Sequence, residues 1–161
     1  RAIQSDTTLQ IGVDFVCFDA EDWGTPRWAD QADDADTWAL GAQYWAENLP
    51  AGYEARYGIL LDMVGGQGTK FYQEGVSKQY ASGDSEQGVA HSSADRLRAR
   101  FFPMKDGAMV TDDHVPVNEK AGIACIDIIA CFPDCPQSSF GPTWHTVDDT
   151  MDHIDPNVMK L

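Results

Sequence analysis

Residues Phe15–Gly24 read FVCFDAEDWG. From Val13 the run VDFVCF is almost wholly apolar, and then Asp19, Glu21 and Asp22 arrive within four positions. The apolar, partly β-branched run Ile11–Asp19 predicts a strand covered on both faces. A strand of that kind driven into a knot of carboxylates is the signature that decides the fold class.

Two further stretches repeat the pattern. Tyr57–Val64 (YGILLDMV) predicts a second buried strand, ending in Asp62 before Gly65-Gly66, and Gly122–Ala130 (GIACIDIIA) a third. A short strand is expected at GAMV, running into Asp112 and Asp113. Between the strands, Asp36 is placed to cap a helix carrying Trp38, Ala42, Trp45 and Leu49 at helical spacing, closed by Pro50 and Gly52. Ser92 to Phe102 and His114 to Ala121 predict two more helices, and Asp155-Pro156 starts a last one. Gln67 to His91 is polar and gives no clear signal. Cys131 to Thr143 is a long Pro-, Gly- and Ser-rich loop leading to WHTVDD.

Strands alternating with helices imply an α/β fold, a three-layer sandwich on a mixed, mostly parallel sheet. Ligands of such sheets bind beyond the carboxyl ends of the strands. That rule brings Asp19, Glu21, Asp22, Asp62, Asp112, Asp113 and His145 to one edge. Converging carboxylates repel unless a cation sits among them. Oxygen and imidazole donors suit zinc, and a catalytic zinc takes about three protein ligands and keeps one position open. Of the adjacent Glu21-Asp22, one acid would bind the metal and the other move protons. His91, His114 and His153 read as structural or exposed.

The 161 residues carry a net charge of −15, which argues against a basic surface for nucleic acid or anionic membrane. Hydrophobic residues make up 43%, a globular composition, and no apolar run is long enough to span a membrane. Cys17 and Cys125 lie in apolar runs and read as buried thiols. Cys131 and Cys135 are two free thiols or a local disulfide; a thiolate zinc site lacks a second Cys or His pair.

FDAEDWG, LLDMVGG, TDDHVPVNEKAGI and GPTWHTVDDTMDHID together resemble the zinc-dependent M28-like aminopeptidase family that includes the animal-type glutaminyl cyclases, and most closely the bacterial members of that branch. The resemblance implies Asp22 and His145 as zinc ligands and Glu21 as general acid/base. It implies Asp62 and Asp112 as further site acids and Trp144 as an aromatic wall, with Trp23 or Trp28 as another. One zinc is implied for a cyclase and two for an aminopeptidase. It implies cyclisation of N-terminal glutamine on peptides or proteins, with aminopeptidase activity or a non-catalytic binding domain as the alternatives. The family's upstream zinc-ligand motif has no match in RAIQSDTTLQ. Residues 1–161 are therefore expected to be the C-terminal part of one such domain, associating with an N-terminal half or a second copy. A periplasmic, secreted or lipid-anchored location is likewise implied.

Overall fold

A computed structural model of the chain describes residues 12–25, 32, 34–81 and 106–158. The architecture is α/β, with a small open parallel sheet. In chain order the elements are α1 (Leu40–Glu47), β1 (Gly58–Asp62), α2 (Gly75–Ala81), α3 (His114–Glu119) and β2 (Cys125–Ile129). Short 3-10 turns lie at Ala35–Thr37 and Met151–His153. The helix expected over Ser92 to Phe102, His91 and Trp28 lie outside the described residues.

β1 and β2 pair in parallel, with Gly58 opposite Cys125 and Asp62 opposite Ile129. α3 packs on both strands, α2 on β2 and α1 on α3. Gly58 is glycine for want of room: a Cβ there would come within 2.8 Å of Cys125 Sγ. Val117, Ile123 and Cys125 form the centre of the core, and Phe18, Trp45, Leu49, Tyr53 and Leu60 close around it. Trp45 meets Phe18 and Tyr53 edge-on, at ring-centroid distances of 5.7 and 5.8 Å, a favoured aromatic geometry.

Several expectations need correction. Residues 12–19 form no strand; Phe15 is 79% exposed, and Cys17 is exposed rather than buried. A strand requires a ladder partner, and among the described residues none pairs with this run. β1 is covered on one face only, because Ile59 and Leu61 are 46% and 62% exposed while Leu60 turns to the core. Among the described residues, no helix layer lies over that outer face.

The GAMV run is irregular, and the isolated bridge beside it joins Gln73 to Asp106, just before the run. Its Val110 N–H goes to the Glu74 carboxylate and not to a ladder. Asp36 does not cap α1, which begins after Ala39 with no side-chain cap. The backbone N–H groups of Ala39, Leu40 and Gly41 are already taken by the carbonyls of Glu21, Ala20 and Asp19, so the donors a capping side chain would serve are occupied. After Asp155 the described residues make a turn, in which the Asp155 carboxylate accepts the N–H of Asn157. The cysteines at 131 and 135 are free and half-buried.

Candidate active site

The acidic knot is positioned by a helix end. The three carbonyls from Asp19 to Glu21 receive the first free N–H groups of α1, at 2.9 to 3.2 Å. Gly41 permits this approach, since a Cβ would stand 2.3 Å from the Asp19 carbonyl oxygen. Trp38 lies against Gly24 on the other side, where a Cβ would meet its ring at 2.2 Å. Trp23, by contrast, is exposed. The knot is thus fixed through backbone, and its side chains are left for other work.

Backbone strain concentrates at the same edge. Ala20, Met63 and His145 adopt φ of 50°, 52° and 55°. Ala20 immediately precedes Glu21 and Met63 immediately follows Asp62. Left-handed backbone at non-glycine residues costs on the order of 1–3 kcal/mol each and persists where the surroundings enforce it.

His145 Nε2 lies 2.9 Å from Asp22 Oδ1. The two residues are 123 positions apart in sequence. The tail that carries His145 is docked on the loop after β1: Gln67 N–H donates to the His153 carbonyl and Asp155 N–H to the Gly65 carbonyl. His153 itself is exposed. The Trp144 ring stacks on His145 with centroids 3.9 Å apart, and Phe140 lies behind Trp144 at 5.0 Å.

Glu21, Asp62, Asp112 and Asp113 face each other electrostatically. Burial pushes the Glu21 carboxyl up to about 8, helped by its hydrogen bond with Asp22 and by the charges of Asp22, Asp112 and Asp113. Burial and the Asp112 charge bring Asp62 to about 6. Burial, Asp112 and Asp62 bring Asp113 to about 7. Asp112 is raised by burial, against the opposing N–H of Asp113 and the neighbouring His114. These acids share few protons among many carboxylates, which is the environment of proton-transfer groups.

Sequence reasoning missed the layer beneath. His114, read as structural or exposed, is fully buried between two carboxyls, with Nε2 3.3 Å from Glu74 Oε2 and Nδ1 4.0 Å from Asp127 Oδ2. Burial alone would raise Glu74, but the His114 ring against it, the Ser77 and Val76 N–H groups and the Ser77 side chain outweigh burial and hold the group at about 2. Asp127 goes the other way, to about 9, through burial and then the charges of Asp112, Asp62, Glu74 and Asp113. Asp127 did leave a signal, as the one charged residue inside GIACIDIIA; Glu74 in FYQEG left none.

Among the expected residues, then, Asp22 meets His145, and Glu21, Asp62 and Asp112 form one acidic group beside Asp22. Trp144 covers His145, while Trp23 points to solvent. Among the described residues no group of three side chains forms a metal site.

Comparisons with solved structures give concordant results. Glutaminyl cyclase from Porphyromonas gingivalis is 43% identical, with a TM-score of 0.78 over 98% of this chain and 54% of its own. The Bacteroides thetaiotaomicron glutaminyl cyclase bound to N-acetylhistamine is 43% identical, with a TM-score of 0.74 over 88% of this chain and 48% of its own. A Zn-dependent exopeptidase from Parabacteroides distasonis is 38% identical, with a TM-score of 0.75 and coverage of 88% and 48%. The chain therefore spans about half the length of these relatives. Curated proteins give no significant match. The model of peptidase family M28 matches residues 1–161, and with these likenesses the chain belongs to that family.

Proposed function

We propose that the full-length protein cyclises N-terminal glutamine of peptides or proteins to pyroglutamate, releasing ammonia. The observation that carries this reading is the Asp22–His145 contact, with Glu21 next to Asp22 in the chain and pushed up by burial and its acidic neighbours. The glutaminyl cyclases similar to the chain support it.

The donor set of Asp22 and His145 is one that zinc accepts, and the exopeptidase among the similar structures is described as zinc-dependent. These two side chains would supply two ligands, and the third is proposed to lie outside the described residues. When bound, the metal polarises the side-chain amide carbonyl of the substrate. Glu21 takes a proton from the attacking α-amine as the new C–N bond forms. It returns that proton to the amide nitrogen as the old C–N bond breaks and ammonia leaves. A carboxyl pushed up by burial and by its acidic neighbours is of the kind that both takes and returns a proton. Asp62 and Asp112 hold Glu21 in place, and Trp144 walls the glutamyl stem. Export to the periplasm or cell surface belongs to the same proposal; none of the described helices is long and apolar enough to cross a membrane.

The likeness to the exopeptidase favours a second reading, in which water is the nucleophile and an N-terminal residue is hydrolysed off. Full-length protein assayed on a glutaminyl peptide and on leucine anilide separates the two. Ammonia release with loss of the free N-terminus is the expected result. Hydrolysis of the anilide without cyclisation would overturn the first reading.

A further inference from the structure

Three stretches of chain, 74–77, 110–118 and 125–127, meet at one buried polar knot under the acids. The Glu74 carboxylate accepts the N–H groups of Val76 at 2.8 Å and Ser77 at 2.6 Å, the second and third residues of α2. The same carboxylate accepts the Val110 N–H at 2.9 Å, two residues before Asp112. Its other neighbour is His114, 3.3 Å away and 0% exposed. Asp127, in β2, faces the opposite nitrogen of His114, and its N–H donates to Ser77 Oγ at 2.8 Å. Asn118 closes the arrangement by donating to the carbonyls of His114 and Cys125 and accepting the Cys125 N–H, at 2.8 to 3.0 Å.

The two acids lie between the points held. Glu74 accepts the Val110 N–H on one side of Asp112-Asp113; on the other, the His114 ring packs against Glu74 without a hydrogen bond while Asn118 holds the His114 carbonyl, so the acids hang on a short bracket held at both ends. A side chain fixed in place by buried hydrogen bonds cannot drift, and catalytic constellations need placement to a fraction of an ångström. We propose that His114 and Glu74 are positioning residues, which clamp the chain on either side of Asp112-Asp113 and set those acids against Glu21 and Asp62. The proposal rests on the functional reading above only for its kinetic readout.

Neither residue touches the reacting atoms, so a purely structural role must be told apart from positioning. In the full-length protein, His114→Gln and Glu74→Gln are compared with wild type by steady-state kinetics on the glutaminyl peptide and leucine anilide, and by crystallography. The clamp predicts a kcat lower by about 10- to 100-fold per folded molecule with KM within about twofold. It also predicts that Asp112-Asp113 move relative to Asp62 in the variant crystals. If His114→Gln fails to fold, Glu74→Gln, which keeps the side-chain shape, decides. A lower melting temperature with kcat intact, or acids that stay in place, would overturn the proposal. The crystallographic arm stands even if wild type turns over neither substrate, a result that sinks the functional reading instead.

Discussion

Asp127→Asn should stabilise the protein, increasingly so as pH rises. The Asp127 side chain has no exposed surface, and neither carboxyl oxygen has a hydrogen-bond partner among the described residues. Burial first, and then the charges of Asp112, Asp62, Glu74 and Asp113, raise its pKa from 3.8 to about 9. At neutral pH the folded chain therefore keeps a proton that the unfolded chain has released. A folded-state pKa above the unfolded one gives stability that is full below 3.8 and lost as pH climbs through about 9. The loss runs at ~1.4 kcal/mol per pH unit across that window, or roughly 4 kcal/mol by pH 7. Asparagine has nearly the same shape, stays neutral in both states and removes the slope. Urea unfolding of wild type and variant between about pH 5 and pH 8 measures it, because the other titrating groups cancel in the difference. The expected result is a variant advantage that grows with pH. A difference that is flat with pH would mean that native Asp127 is ionised and paired with His114, and the reasoning would fail.

Three other substitutions address different links. Gly41→Ala places a Cβ 2.3 Å from the Asp19 carbonyl oxygen and 2.7 Å from its nitrogen. It should cost about 1–3 kcal/mol and, by shifting the acidic knot, lower turnover at least ~10-fold; melting temperature and kcat test both parts. Asn118→Ala strips the bridge between α3 and β2 and leaves the buried Cys125 N–H unpaired, for a loss of about 3 kcal/mol in denaturant unfolding. Glu21→Gln in the full-length protein should cut turnover by about 10²- to 10⁴-fold while the metal content, read by elemental analysis, stays that of wild type. Near-normal turnover there would remove Glu21 from its role.

What the sequence disclosed, and what it hid, divides along a physical line. Period and punctuation find elements whose burial is set by their own side chains, so GILLD and CIDII were recognisable as strands and HVPVNE as a helix. Asp22 and His145, expected at one edge, do meet across most of the chain's length, although no strand precedes Asp22 among the described residues. The same rules failed wherever the backbone's partner was not a regular ladder. VDFVCF has strand composition but no described neighbour to pair with as a ladder, so Val13 to Cys17 stay exposed and only Phe18 reaches the core. GAMV spends an N–H on a buried glutamate, and α1 begins on the carbonyls of a distant loop instead of on Asp36. Glu74 was invisible for the same reason, because its importance lies in the three N–H groups and the histidine that long-range folding brings to it. Asp127 could have been found: an ionisable group in the middle of an apolar strand must be paired, neutral or both. The acids that the chain advertises after its apolar runs are the ones that gather at one edge, and the charged groups beneath them lie one layer below, where only tertiary contacts reveal them.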